Sequence, residues 1–360
     1  MILHTSPLAL PDGAPFRRAM LRAPQFRQPG FEAAFDSRTL FYDAFRHGND
    51  VVLSGPPLHN MRRRFGSATF TSGGSELIAE LSDINRTQRS RLRGDAGDAV
   101  RVVVDGLDAT LPVSPDDREM FRDRRVLTTL SRNNALEWIA DWIRYYVAVH
   151  EIDAVLLYDN GSDAYTLDEL EATISGIPGL AVSVVVNWPF PFGPSAGPNN
   201  VWDSDFCQPS KHEHARFRFL EQAAQVITAD IDELIVTVDG RPLHAHLASA
   251  ASGGLSYRGH WIEGVAGASL PRFADFDSYD PTRAPCAKKW TIRPGAVPQS
   301  AQWSTHDLIG WSPDKSLDVR YGHFRVITTN WKYNRLKLRS DEHRVRDVEL
   351  RRAMDRAFAQ

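Results

Sequence analysis

The segment Asp230-Ile231-Asp232-Glu233 sets three carboxylates in four residues between two β-rich apolar runs. If it is extended, alternation puts the Asp230 and Asp232 side chains on one face, about 6.5–7 Å apart. Two hard oxygen ligands on one face can hold Mg²⁺ or Mn²⁺, with a substrate diphosphate and waters completing the octahedron. The apolar runs VIT before it and LIVTV after it would fix the segment between two buried strands. His323, in VRYGHFRVIT, is a candidate third metal ligand through a neutral imidazole, and His306 is its rival. Each also has an ordinary reading, since solvated turns produce DxD and single histidines are often structural.

Two further groups could act on a bound substrate. Asp159-Asn160-Gly161-Ser162-Asp163 follows the apolar run AVLLY, and its oxygens could accept hydrogen bonds from ribose hydroxyls or a uracil N–H. A plain turn is the alternative. Glu263 in GHWIEG is a candidate base for an acceptor hydroxyl, with Trp261 as a sugar-stacking surface. Asp205 and Asp307 compete for that role, and a surface glutamate on a strand is the bland reading. The pairs His212/His214 and His244/His246 lack the i,i+4 spacing that puts two imidazoles on one helix face. No GxSxG, GxxxxGK[ST] or GxGxxG loop is present, which disfavours an acyl-transfer nucleophile, a P-loop and a dinucleotide cofactor.

The elements that must position these groups begin near residue 125. RVLTTLS reads as a buried strand, and residues 132–150 as a helix with Asn134 at its N-cap and Glu137 completing a near capping box. AVLLY and AVSVVV are further continuous apolar strands, separated by a helix that Thr166 and Glu169 would cap. This βαβαβ series predicts a parallel α/β sheet. A helix is expected over roughly 211–225, then VITADIDELIVTV, then strands at 256–262, 287–293 and 320–328. Residues 1–120 alternate short extended runs with PP, GG and DG turns, which predicts a β-rich, sandwich-like module. The four arginines of residues 86–97 are expected in a solvated loop.

The 360 residues suit two domains, placed at 1–120 and 121–335, with a basic amphipathic helix over 336–360. The net charge of −3 conceals −7 over residues 121–330 and +4 over residues 331–360. An acidic middle argues against a nucleic-acid groove and suits a divalent cation. The basic tail is a candidate for peripheral contact with anionic lipid. Two cysteines cannot build a disulfide framework, and the N-terminus lacks an export leader, so the expected compartment is the cytoplasm.

The ordered motifs TLSRNNALEWIADWIRYY, LLYDNGSDAY, CQ…HEHARFRF, ADIDELIV, KKWTIRPG and GHFR resemble bacterial relatives of glycosyltransferase families 2 and 92. These are GT-A enzymes of polysaccharide and capsule gene clusters. The resemblance covers about residues 125–335. It implies a GT-A-like Rossmann-type nucleotide-sugar-binding domain behind the smaller β-rich module, and a transferase moving a sugar from a UDP-sugar to a carbohydrate acceptor, free or lipid-linked. By position it implies Arg132, Asp159, Asn160, Ser162 and Asp163 for the nucleoside, and Asp230, Asp232 and a divalent metal for the diphosphate. His323 matches the late HY position, with Phe324 replacing the usual Tyr. Lys288, Lys332 or Lys337 would add positive charge at the diphosphate, and Glu263 would drive inverting, in-line attack. A carbohydrate-binding protein without turnover and a metal-dependent phosphohydrolase are the rival classes.

Overall fold

The computed structural model describes residues 1–264, 270–327, 329 and 343–358. The elements around the site are, in chain order, β1 (Ile2–His4), β2 (Arg125–Ser131), α1 (Leu136–His150), β3 (Ala154–Asp159), α2 (Leu167–Ser175), β4 (Val182–Asn187), α3 (Cys207–Ala215) and β5 (Gln225–Thr228). They continue with β6 (Glu233–Thr237), β7 (Gly254–Tyr257), β8 (Gly259–Ile262), β9 (Lys289–Ile292), β10 (Asp314–Lys315), β11 (Val319–Phe324) and α4 (Val348–Phe358). The fold is mixed α/β with several sheets. The largest sheet has the order β1-β4-β3-β2-β5-β9-β7-β10. Neighbours from β1 to β5 are parallel, whereas β9 runs antiparallel to both β5 and β7. Strand order reverses at β2, between β3 and β5, so the carboxyl ends of these three strands flank a crevice of the kind that receives ligands in open α/β sheets.

The continuous apolar runs are explained by burial on both faces. Leu127, Val155, Leu157, Val185 and Ile227 point into a core shared with α1 and α2. Val126, Leu156, Tyr158, Val184, Val186 and Val226 point the opposite way, into a core with Phe219 and Leu220. That is the two-residue period of strands covered on both sides. Thr166 and Glu169 form the expected capping box of α2. The expected cap of α1 differs: the helix starts at Leu136 behind Ala135, with no side-chain cap. Asn134 instead donates from Nδ2 to Ser131 Oγ at 2.9 Å. The helix expected over 211–225 starts earlier, at Cys207, and ends in a wider turn over Arg216–Leu220.

Within the first 120 residues, two antiparallel sheets share one apolar core that includes Val51, Leu53, Phe70, Leu92, Val100 and Val102. The arginine-rich stretch is a strand, Thr87–Arg93, rather than a solvated loop. It pairs with Asp50–Gly55, and Arg89 reaches out to Glu213 of α3. The segment also feeds the large sheet directly, because β1 lies parallel to β4. Buried polar pairs join the two regions: Asp43 receives His214 at 2.9 Å and Arg218 at 2.7 Å.

Of the basic tail, Val348–Phe358 forms the helix α4. Its apolar side, Leu350 and Met354, is buried in the core with α1, so it does not offer that face to a bilayer. Arg351 pairs with Asp355, and Arg356 donates to the Val149 carbonyl. Among the described residues no helix is long and apolar enough to cross a membrane.

Candidate active site

A cleft of about 870 Å³ opens at the carboxyl ends of β2, β3 and β5. That volume lies near the top of the roughly 300–1,000 Å³ typical of ligand sites, which leaves room for two substrates side by side. Ser131, Arg132 and Asn160 line one part of it, and Asp230, Asp232, Glu233 and His323 another.

The acidic segment is not extended. Between β5 and β6 the chain turns, with Glu233 N–H donating to the Asp230 carbonyl at 3.0 Å. The turn breaks strand alternation, so Asp230 and Asp232 take different partners. Asp230 accepts from Lys289 Nζ at 2.8 Å, and Lys289 also lies 2.9 Å from Glu233. Asp232 accepts from His323 Nε2 at 3.0 Å. Glu233 and His323 are direct partners across the β6/β11 ladder, which brings their side chains to 3.9 Å. Among the described residues, Asp232, Glu233 and His323 are the group whose ligand atoms lie close enough together to share one cation. Two carboxylates and an imidazole suit Mg²⁺ or Mn²⁺, so the donor set fits the implied ion.

Electrostatics follow from burial and pairing. Burial alone would raise the Asp230 carboxyl, but the Lys289 ammonium outweighs it and holds the group below the usual carboxylate range. Burial raises Glu233. Burial would lower His323, yet Asp232 reverses this and lifts it to about 10, so without a cation the imidazole carries a proton. His306 is driven down to about 4 by burial, with the nearby Lys289 adding to it.

The remaining expected residues separate. Arg132 lies exposed on the cleft wall. Asp159 is buried and ties down its own turn, accepting from Ser162 N–H at 2.9 Å and Ser162 Oγ at 2.6 Å. Gly161 carries that turn at φ +70°, a region glycine enters at no steric cost. Asp163 accepts from Asn133 Nδ2 at 2.8 Å, which staples the turn to the loop after β2. Asn160 reaches the cleft, while its amide donates to the Trp188 and Phe190 carbonyls at 2.8 Å each. The structure therefore makes Asp159, Ser162 and Asp163 the frame of the turn and leaves Asn160 and Arg132 on the cleft.

Glu263 is not in the cleft wall. It is buried and ion-paired with Arg283 and with Arg325, the latter at 3.5 Å. Trp261 lines the cleft, but His323 stacks on it at 4.1 Å and both arginines approach its ring. The rivals Asp205 and Asp307 both line the cleft. Lys288 pairs with Asp307 at 2.8 Å. Lys332 and Lys337 lie outside the described residues.

The sequence motifs did not mark Lys289, Lys211, or Glu233 as a candidate ligand. The signal for Lys289 was there: Trp290 and Ile292 share one core face of β9, so Lys289 must face the other way. Lys211 lies beneath the floor, donating to Thr128 Oγ1 at 3.0 Å, and burial brings it down to about 7. His214 is structural, held between Tyr158 and Asp43.

No protein-family model matches the sequence, and neither does any curated protein. Among solved structures, TarS 1–349 of S. aureus is similar over 41% of this chain and 39% of that chain, at 14% identity and a TM-score of 0.25. TarS 1–349 in complex with UDP is similar over 47% of each chain, at 13% identity and a TM-score of 0.28. This chain thus spans under half of these two solved chains, and likeness at these TM-scores carries no argument about activity.

Proposed function

We propose that this protein is a glycosyltransferase of GT-A type that uses a divalent cation to move a sugar from a nucleotide-sugar, of the UDP-linked class, to a carbohydrate hydroxyl. The observation that carries the reading is the Asp232–Glu233–His323 group, set in a two-substrate cleft at the strand ends of a parallel sheet. The ordered motifs from RNNALEW to GHFR support it. A cation held by these three residues would supply positive charge to a diphosphate leaving group. Asp230, kept ionised by Lys289, is placed to accept from a donor hydroxyl. Arg132 and Asn160 would meet the nucleoside.

For the base, the reading moves from Glu263 to Asp307. A carboxylate between two guanidiniums is a poor proton acceptor, because protonation would strand both cations. Asp307 lines the cleft with 51% of its side chain exposed, and its pair with Lys288, itself 41% exposed, is one that water screens, unlike the buried arginine pairs of Glu263. The wealth of aromatic lining, Phe192, Trp202, Trp261 and Tyr321, favours sugars over simple phosphate esters.

The test is thermal stability with UDP and a panel of UDP-sugars, with and without Mn²⁺, followed by UDP release. A ligand at one hundred times its Kd stabilises by about 2.7 kcal/mol. Stabilisation should require Mn²⁺ and vanish in Asp232→Ala, judged against that variant's own unliganded melting temperature, which should fall because His323 loses its carboxylate. No nucleotide stabilising the protein with the metal present would sink the reading.

A further inference from the structure

The far wall of the cleft comes from the N-terminal β module. Asn85 and Arg86 form a two-residue turn between paired strands Asp83–Ile84 and Thr87–Arg93, and both line the cleft. Arg86 adopts φ +59° there, a left-handed backbone that usually falls to glycine or asparagine. Strain of this kind persists where its surroundings over-determine it. The turn is gripped from two sides. Arg86 Nη1 donates to both oxygens of Asp205, at 2.8 and 2.7 Å, and Gln302 Nε2 donates to the Asn85 carbonyl at 2.7 Å. Arg86 Nε is buried with no hydrogen-bond partner among the described residues. A desolvated N–H without an acceptor is costly, so the turn holds Arg86 in place against both that cost and its backbone strain.

The same module braces the rest of the wall. Phe192, Trp202 and Asp205 lie on one long connection after β4. Arg22 clamps it by donating to Ser195 O at 2.8 Å, Val201 O at 3.1 Å and Asp203 Oδ1 at 2.9 Å. Gln28 donates to Ser195 O at 2.8 Å. Thus two aromatic rings and a guanidinium–carboxylate pair face the cleft from a braced support.

We infer that this wall, built with Arg86 of the N-terminal module, is the subsite for a neutral pyranose of the acceptor. Neighbouring pyranose hydroxyls both donate and accept, which matches a carboxylate beside a guanidinium edge. Their C–H faces match aromatic rings. The inference rests on the transfer reading above, in that the pyranose is the sugar that receives.

The experiment uses the full-length protein and methyl pyranosides of glucose, galactose, mannose and N-acetylglucosamine, titrated by saturation-transfer NMR. UDP with Mn²⁺ is titrated in parallel. Wild type should bind at least one pyranoside. Arg86→Gly suits the left-handed turn but leaves the buried Asp205 without its guanidinium, so it should melt earlier than wild type, and its UDP·Mn²⁺ binding reports that the fold is kept. Its pyranoside affinity should fall by about tenfold or more while UDP·Mn²⁺ affinity stays within about twofold. Trp202→Ala should lose the pyranoside likewise, which keeps the test decisive if the glycine variant does not fold. Pyranoside binding that survives both substitutions, or no pyranoside binding by wild type that still binds UDP·Mn²⁺, would overturn the subsite. Arg86-dependent pyranoside binding without UDP binding would instead sink the donor reading and leave the subsite standing.

Discussion

Lys289 lies 2.8 Å from Asp230 and 2.9 Å from Glu233, so one buried ammonium gathers two of the turn's three carboxylates. The lysine is 1% exposed and Glu233 2%, so each is solvated largely by the other. Burial would lower the ammonium, but the two carboxylates outweigh it and raise it. Lys289→Met therefore leaves the buried Glu233 beside Asp230 and Asp232 with the more distant His323 imidazolium, 3.9 Å away, as its counter-charge. Breaking a buried pair from one side costs about 3–5 kcal/mol. Urea unfolding should register a loss near the lower figure, because Asp230 can turn to water. A loss below about 1 kcal/mol, the scale of an exposed pair, would mean that the pair does not organise the site.

Glu263 and Asp307 separate cleanly by mutation. Asp307→Asn should lower turnover by about 10²–10⁴, the usual worth of a positioned general base, with donor affinity kept. Glu263→Gln should retain most turnover yet melt earlier, since Arg283 and Arg325 lose their shared carboxylate. Turnover lost in Glu263→Gln and retained in Asp307→Asn would return the role to Glu263.

The first 120 residues and the remainder should unfold together. Buried pairs Asp43–His214, Asp43–Arg218 and Arg89–Glu213 cross between them, and β1 belongs to the large sheet. All nine tryptophans lie beyond residue 120, so their fluorescence reports that part alone while far-ultraviolet circular dichroism reports both. Coincident urea transitions by the two probes are expected. A separate earlier transition in dichroism would make the module an independent domain.

Acid should weaken the fold through buried histidines. Burial pushes His150 down to about 3, although its ring donates to the Ile235 carbonyl at 2.7 Å. In the unfolded chain the same ring titrates near 6.5. Between those values the unfolded state binds a proton that the folded state refuses. Stability is therefore full above pH 6.5 and falls as the pH drops toward 3. His150→Gln should flatten part of that slope in urea titrations run from pH 7 to pH 4. An unchanged slope would assign the loss to other groups, His212 first, which burial also lowers.

The βαβαβ series was readable because strands covered on both faces need unbroken apolar runs, and VLTTL, AVLLY and VSVVV supply them. The α2 cap was readable because a capping box is local. The α1 cap was not, because Asn134 found Ser131 as a partner instead. The acidic segment was legible as chemistry and misread as geometry. An extended DID puts both aspartates on one face, whereas the turn at Asp230–Glu233 hands Asp230 to Lys289 and joins Asp232 to Glu233 and His323.

By itself, then, the sequence determined the parallel strands of the α/β core, the β-rich start and the residue types of an acidic centre, because hydrophobic period and local capping are written within a few residues. Only the tertiary structure decided which of those residues meet. Lys289 rather than Lys288 enters the cluster because a strand sends adjacent side chains to opposite faces. Glu263 leaves the cleft because two distant arginines claim it, and the opening division at residue 120 is crossed by Arg86. Contacts between residues some twenty to two hundred positions apart depend on register and packing, and no local pattern encodes them.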